Sequence, residues 1–246
     1  SPQKLTTGAE PALCVLLEQE KVADQSVVVY LSEQGNSLPF AKWTCYDAGV
    51  HSACIVRWPG VVKPGSVSDA LVEYVDIVPT FVDIAGGKPQ TRVDGESFKS
   101  VLTGKKKEHK KYSFSLQTSR GINKGPEYYG IRSAYDGRYR YIVNLTPEAT
   151  FQNAMTATPL FKEWKQLAET DAHAKAMTFK YQHRPAIELY DVRNDPFCMN
   201  NLAGDTKYSN IIIRLDAELK KWMKACGDEG QATEMRAFDH MPSKQK

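Results

Sequence analysis

Apolar positions along this chain change their period several times, and each change marks an element. Leu13, Leu16 and Leu17 recur at helical spacing with charges behind them, which predicts a helix over residues 12–22. Ala23-Asp24-Gln25 interrupts it, and Val27-Val28-Val29-Tyr30-Leu31 follows without alternation. A continuously apolar strand reads as buried on both faces, as in a parallel sheet covered by helices. Ala53 to Trp58 predicts a second strand, closed by the turn residues Pro59-Gly60 and Pro64-Gly65. Asp76 is then placed to cap a helix with Pro79 in its first turn, an apolar side of Phe81, Val82 and Ile84, and Gly86-Gly87 as its stop.

The run Lys105-Lys106-Lys107-Glu108-His109-Lys110-Lys111 is the sharpest compositional break and reads as a solvated connector, so a boundary is expected near residue 104. Beyond it, residues 112–116, 128–134 and 139–144 have strand character, and Asp136-Gly137 supplies a hairpin turn for an antiparallel meander. Residues 159–181 predict one helix with Trp164, Leu167 and Ala168 on its buried side. A last helix spans 209–226, with Ile212, Leu215, Leu219 and Trp222 on one face, Lys220, Lys221 and Lys224 near its negative end, and Gly227 closing it.

Composition narrows the class only slightly. The 246 residues are 41% hydrophobic and 25% charged with a net charge of +3, an ordinary globular balance that gives no nucleic-acid surface. No apolar stretch approaches the roughly 20 residues of a membrane span. The N-terminus also lacks the charged-then-apolar layout of a signal peptide. The five cysteines (Cys14, Cys45, Cys54, Cys198 and Cys226) form no C-x-x-C pair and are expected to be mostly buried thiols.

The candidate chemistry follows the first strand. Glu33-Gln34 offers a carboxylate and a carboxamide, two hard oxygen donors suited to Ca²⁺, at a strand end where ligands gather in α/β sheets; equally, the pair braces the turn at Gly35. Lys42 reads either as an anion-binding cation or as a surface lysine. His183 and Arg184, just before Pro185, read as ligand-facing, structural or solvated. His51, Trp43, Tyr46 and Trp58 read as packing residues, and His109, His173 and His240 lie in polar surroundings without zinc spacing.

The order of motifs adds more than any one of them. Ser32-Glu33-Gln34-Gly35, then Lys42-Trp43-Thr44-x-Tyr46-Asp47-x-Gly49-Val50, Ile55 to Gly60, Ser68 to Val72 and Val75 to Thr80 resembles the second half of a sulfatase. Glu188-Leu189-Tyr190-Asp191 through Asn194-Asp195-Pro196 to Asn200-Asn201-Leu202-Ala203 resembles the family's C-terminal signature. With Tyr181 to Pro185, it is nearest the heparan N-sulfatase, or sulfamidase, branch. The resemblance implies an α/β alkaline-phosphatase-like core over residues 1–104. A C-terminal α+β subdomain with a four-stranded antiparallel sheet and a packed helix would follow over 105–246. It further implies Ca²⁺ ligation by Glu33 and Gln34 and sulfate binding by Lys42, on a sulfated carbohydrate substrate, in a periplasmic, secreted or lysosomal compartment. Where relatives carry Asp followed by Asn or His, this chain has Glu33 and Gln34, each one methylene longer.

Sulfatases of this kind attack sulfur with a formylglycine made from a Cys/Ser-x-Pro-Ser/Ala-Arg motif. No cysteine here is followed by proline two positions on, and Ser37-Leu38-Pro39 continues into Phe40-Ala41. The chain therefore carries no nucleophile of this type. It is expected to be inactive alone, to bind metal weakly, and to have an N-terminal half or a second copy of itself as partner. A non-catalytic binding or assembly module and a phosphodiesterase or phosphatase of the same superfamily are the alternatives.

Overall fold

The computed structural model describes residues 9–88, 91, 93–118, 128–236 and 239. In chain order it contains α1 (Ala9–Gln19), β1 (Val28–Leu31), α2 (Asp47–Val50), β2 (Cys54–Arg57), α3 (Ile77–Ile84), α4 (Lys99–Leu102), β3 (Ser113–Gln117), β4 (Ile131–Tyr135), β5 (Tyr139–Asn144), α5 (Pro159–Leu167), α6 (Ala172–Gln182), β6 (Ile187–Asp191), α7 (Ser209–Ala225) and α8 (Gln231–Met235). Two compact units interleave along the sequence. The first comprises residues 1–33 and 52–111, and the second 34–51 and 112–246. The segment 34–51 thus leaves the first unit, folds into the second and returns.

In the first unit β1 pairs antiparallel with β2, Val28 opposite Arg57 and Leu31 opposite Cys54. The expected parallel strand with both faces buried is not what forms: every residue of β1 is half-buried. An unbroken apolar run records how much surface a strand can bury, not the direction of its neighbour. Asp76 also departs from expectation. It lies in helical conformation inside a preceding 3₁₀ turn, so its carboxylate points back instead of capping α3. Asp76 accepts from the Glu73 and Glu96 amides at 2.8 and 2.9 Å and pairs with Lys110 Nζ at 2.8 Å. Lys110 also reaches Glu73 at 2.6 Å, and His109 Nε2 stands 3.3 Å from Asp76 with its side chain only 7% exposed. The lysine run is therefore solvent-facing at Lys105 to Lys107 but anchored at its far end, where His109 has polar surroundings but is turned inward against Asp76. A fully buried Asp76 needs the Lys110 ammonium and the two amides, because an unpaired buried carboxylate is costly.

The second unit holds an antiparallel sheet in the order β3-β4-β5-β6. Its register runs Ile131 opposite Asn144 and Tyr139 opposite Asp191. Asp136-Gly137 makes the expected β4–β5 turn. Asp136 Oδ1 accepts from the Arg138 and Tyr139 amides at 2.9 and 2.7 Å, and Gly137 takes φ +89°, where a side chain would be strained. One face of the sheet buries Ala134, Tyr141 and Leu189 against Leu215 and Leu219 of α7, with Phe114 stacked on Trp222 at 5.1 Å. Each such leucine contributes about 1.5–3 kcal/mol by leaving water. The other face carries a larger core of Tyr129, Ile131, Ile142, Phe151, Phe161 and Tyr181. The helix expected over 159–181 is two helices: Asp171 accepts from the Ala174 amide at 2.6 Å and starts α6 afresh. The N-cap signal sits inside an otherwise continuous helical pattern, which hides it from a reading of apolar spacing alone.

Candidate functional site

The segment that carries Gln34 and Lys42 is irregular, and close packing decides its path. Gly35 adopts φ +62°, and a Cβ there would lie 2.5 Å from the Ala48 carbonyl oxygen and 2.8 Å from the Lys42 amide nitrogen. Gly49 is equally confined, 2.4 Å from the Ala41 carbonyl oxygen by the same measure. Phe40 and Trp43 are held at φ +61° and +64°, a left-handed conformation that non-glycine residues adopt at a cost of about 1–2 kcal/mol each. Such backbone persists only where the surroundings fix it. Here they do so from inside: Phe40, Ala41, Thr44, Cys45, Tyr46 and Asp47 are all buried.

Three sets of contacts hold the segment to the rest of its unit. Asp47 Oδ1 receives Arg140 Nη2 at 2.7 Å, both side chains at most 10% exposed. His51 Nδ1 lies 3.1 Å from the other carboxylate oxygen. Burial raises the Asp47 pKa, but the His51 hydrogen bond and the Arg140 charge outweigh it and leave the carboxyl below its ordinary value of 3.8. Phe40 packs edge-on against Tyr181 at 5.0 Å. Most centrally, the Tyr46 hydroxyl donates to Glu188 Oε2 at 2.9 Å. Glu188 is 1% exposed, and it also accepts from Tyr190 Oη and, at 2.7 Å, from Asn144 Nδ2. Burial pushes the Tyr46 phenol well above its ordinary value, so it stays protonated and remains a donor. Arg184 is buried beside this carboxylate, its guanidinium 3.6 Å from the Phe151 ring centroid and 5.0 Å from that of Tyr46. Its Nε donates to the Tyr181 carbonyl at 3.1 Å.

The candidate residues differ in exposure. Glu33 and Gln34 are exposed, and the division between the two units runs through the peptide that joins them. Lys42 is half-buried with its ammonium 5.7 Å from the Trp43 ring, and its amide donates to the Asn36 carbonyl at 3.1 Å. Two donors supply only part of the six to eight oxygens that Ca²⁺ takes. Among the described residues no group of three or more His, Cys, Asp or Glu side chains is arranged to hold a metal ion.

Other expectations resolve differently. Arg184 is structural, whereas His183 is exposed and stacked on Phe179 at 4.3 Å. His51, expected to pack, has a side chain 76% exposed, because only its Nδ1 edge turns toward Asp47. Of the cysteines only Cys45 and Cys198 are buried; Cys54 and Cys226 are exposed and Cys14 is intermediate. Cys54 lies on a strand with one partner and Cys226 just beyond the end of a surface helix, positions that burial does not reach. His173 is exposed beside an open apolar groove of about 580 Å³ between Leu38, Phe40, Trp164, Leu167 and Met177, and His240 lies outside the described residues. The clamp formed by Glu188 and Arg140 was not singled out from the sequence as part of the site. Its one signal is the proximity of Arg184-Pro185 to Glu188-Leu189-Tyr190-Asp191, which reads as a signature without saying what it touches.

A 2-O glycosaminoglycan sulfatase of known structure superposes with a TM-score of 0.65 at 21% identity, over 90% of this chain and 41% of that one. The fold is accordingly the alkaline-phosphatase-like fold of sulfatases. Residues 35–152 match the family described as N-sulphoglucosamine sulphohydrolase, C-terminal. An ulvan-active sulfatase of Formosa agariphila is 35% identical over 84% of the chain and 39% of its own length. The N-sulphoglucosamine sulphohydrolase of Homo sapiens is 26% identical over 84% and 43%. The chain is a sulfatase C-terminal region, and it spans about two fifths of the length of the curated relatives it matches.

Proposed function

We propose that this chain is the C-terminal portion of a sulfatase that hydrolyses sulfate esters or sulfamates of carbohydrates, and that Lys42 binds the sulfate group. One observation carries the reading: the match over residues 35–152 includes Lys42 and the packed segment around it. In this reading residues 1–104 belong to the sulfatase core and 105–246 to its C-terminal subdomain. A lysine ammonium is a compact point charge, suited to one oxygen of a tetrahedral anion. The Trp43 ring lies 5.7 Å from the ammonium, within cation–π range.

Glu33 and Gln34 would each give one oxygen to a bound Ca²⁺. Both are exposed hard donors, so the residues fit that ion as part of a larger ligand set. When bound, the ion would neutralise charge on the transferring sulfuryl group. The sequence holds no Cys/Ser-x-Pro-Ser/Ala-Arg motif, so the isolated chain is proposed to bind without turning over. The numerous exposed apolar side chains of its first unit fit a partner that completes the sulfatase core; Val15, Leu16 and Val78 are each at least half exposed.

The test is release of sulfate from N-sulfated and O-sulfated glucosamine. The purified 246-residue chain should release none. Mixing it with an N-terminal sulfatase half that carries the nucleophile motif should restore release, and Lys42→Ala should reduce that restored rate by about 10²-fold. Release by the isolated chain would refute the incomplete-site reading. Full restored activity in the Lys42→Ala mixture would remove Lys42 from the site.

A further inference from the structure

We propose that Glu188 is a positioning residue for the segment that carries Gln34 and Lys42, acting through the Tyr46 hydroxyl. The inference rests on the sulfate-binding reading of Lys42 and deepens it. Tyr46 lies four residues beyond Lys42, and the intervening chain has little freedom. Trp43 is held in a left-handed conformation, Thr44 Oγ1 donates to the Ala41 carbonyl at 2.6 Å and accepts from the Tyr46 amide at 3.3 Å, and Cys45 is 1% exposed. Wherever the Tyr46 ring is anchored, the Lys42 backbone is therefore anchored too.

The anchor is a single buried carboxylate approached from three parts of the unit. Tyr46 comes from the segment, Asn144 from the end of β5, and Tyr190 from β6 beside Glu188 itself. Asn144 also donates to the Pro185 carbonyl at 2.7 Å, which ties the same point to the residue following Arg184. Arg184 supplies opposite charge without bonding to the segment: its guanidinium is enclosed by the rings of Phe151, Tyr46 and Tyr181, and the Glu188 charge acts on it. A buried carboxylate with that neighbour is a fixed, hydrogen-bond-accepting point rather than a mobile side chain. Asp47, the next residue, is tied to Arg140, and on the other side of Lys42 only the ring of Phe40 packs against Tyr181, so Glu188 is the side-chain hydrogen-bond anchor nearest Lys42.

The closely matched hydroxyls allow a discriminating experiment on the 246-residue chain. Tyr46→Phe and Tyr190→Phe each remove one donor from the same carboxylate, but only the first comes from the segment. Amide hydrogen exchange is measured together with backbone amide shifts during titration with inorganic sulfate. Tyr46→Phe should raise exchange in residues 41–51 about tenfold while β4 and β5 change by less than about twofold. It should also weaken the sulfate-induced shift at Lys42 several-fold. Tyr190→Phe should leave both readouts at wild-type values, and Glu188→Gln should reproduce Tyr46→Phe at residues 41–51.

Equal acceleration of segment and sheet in Tyr46→Phe would overturn the proposal, since the hydroxyl would then serve overall stability alone. Identical effects from both tyrosine variants would overturn it in the same way. Segment-specific loosening in a chain whose Lys42 never responds to sulfate would support the positioning role and defeat the sulfate-binding reading, so the two failures are separable.

Discussion

At the scale of single residues, Asp47 and His51 form the ionisable pair whose behaviour is most open to measurement. His51 has its pKa raised above 6.5, chiefly by its hydrogen bond to Asp47 and despite partial burial. A raised folded-state value means that its contribution is fully present below pH 6.5 and is lost as pH rises through that higher value. Asp47 has the opposite sign. Its contribution is present above 3.8 and lost as pH falls through its lowered folded value. The urea midpoint should therefore be flat between those limits, decline as pH rises above 6.5 through the raised folded value, and decline less in His51→Gln. A variant with the wild-type slope above pH 6.5 would show that another group supplies it. The His51 ring is mostly exposed, so the effect belongs among weak surface interactions.

At the scale of elements, α5 and α6 show how one residue redirects a chain. The apolar spacing from Pro159 to Tyr181 suits a single helix, yet Asp171 adopts an extended conformation and caps a second one. Asp171→Ala should cost about 1 kcal/mol in urea unfolding, the usual loss when a helix N-cap is removed. Far-ultraviolet circular dichroism should change little, because Thr158 still caps α5 and the buried Phe161, Ala174 and Tyr181 still hold both helices to the core. The β4–β5 turn was legible from Asp136-Gly137 because its cause is local: a carboxylate that accepts from the next amides and a glycine that tolerates positive φ. The direction of β1 was not, since strand pairing is settled by residues more than twenty positions away.

At the scale of the whole molecule, the unevenness of burial is the main feature. Tyr129, Ile131, Tyr181 and Leu215 of the second unit are sealed from solvent, whereas in the first unit Val67 is 92% and Val78 58% exposed, and Phe81 is 42% exposed. Large apolar exposure of this kind marks an interaction surface or a liability to aggregate. Sedimentation of the isolated chain should show an average mass that rises with concentration, and a partner that completes the sulfatase core should abolish the rise. A compact monomer at all concentrations would count against an uncovered face. Among the described residues no helix is long and apolar enough to cross a membrane.

The sequence alone determined what depends on near neighbours and on the order of motifs. The helix over 209–226, the hairpin at Asp136-Gly137, the sulfatase resemblance, and the identity of Glu33, Gln34 and Lys42 as candidate residues all follow from residues close together in the chain. Tertiary structure decided which unit the segment 34–51 joins, and that a carboxylate at 188 and an arginine at 140 hold it there. The physical reason is range. Turns and helix faces are written in spacings of a few residues, whereas a buried acceptor 142 positions from its donor is specified only when both are packed into the same core.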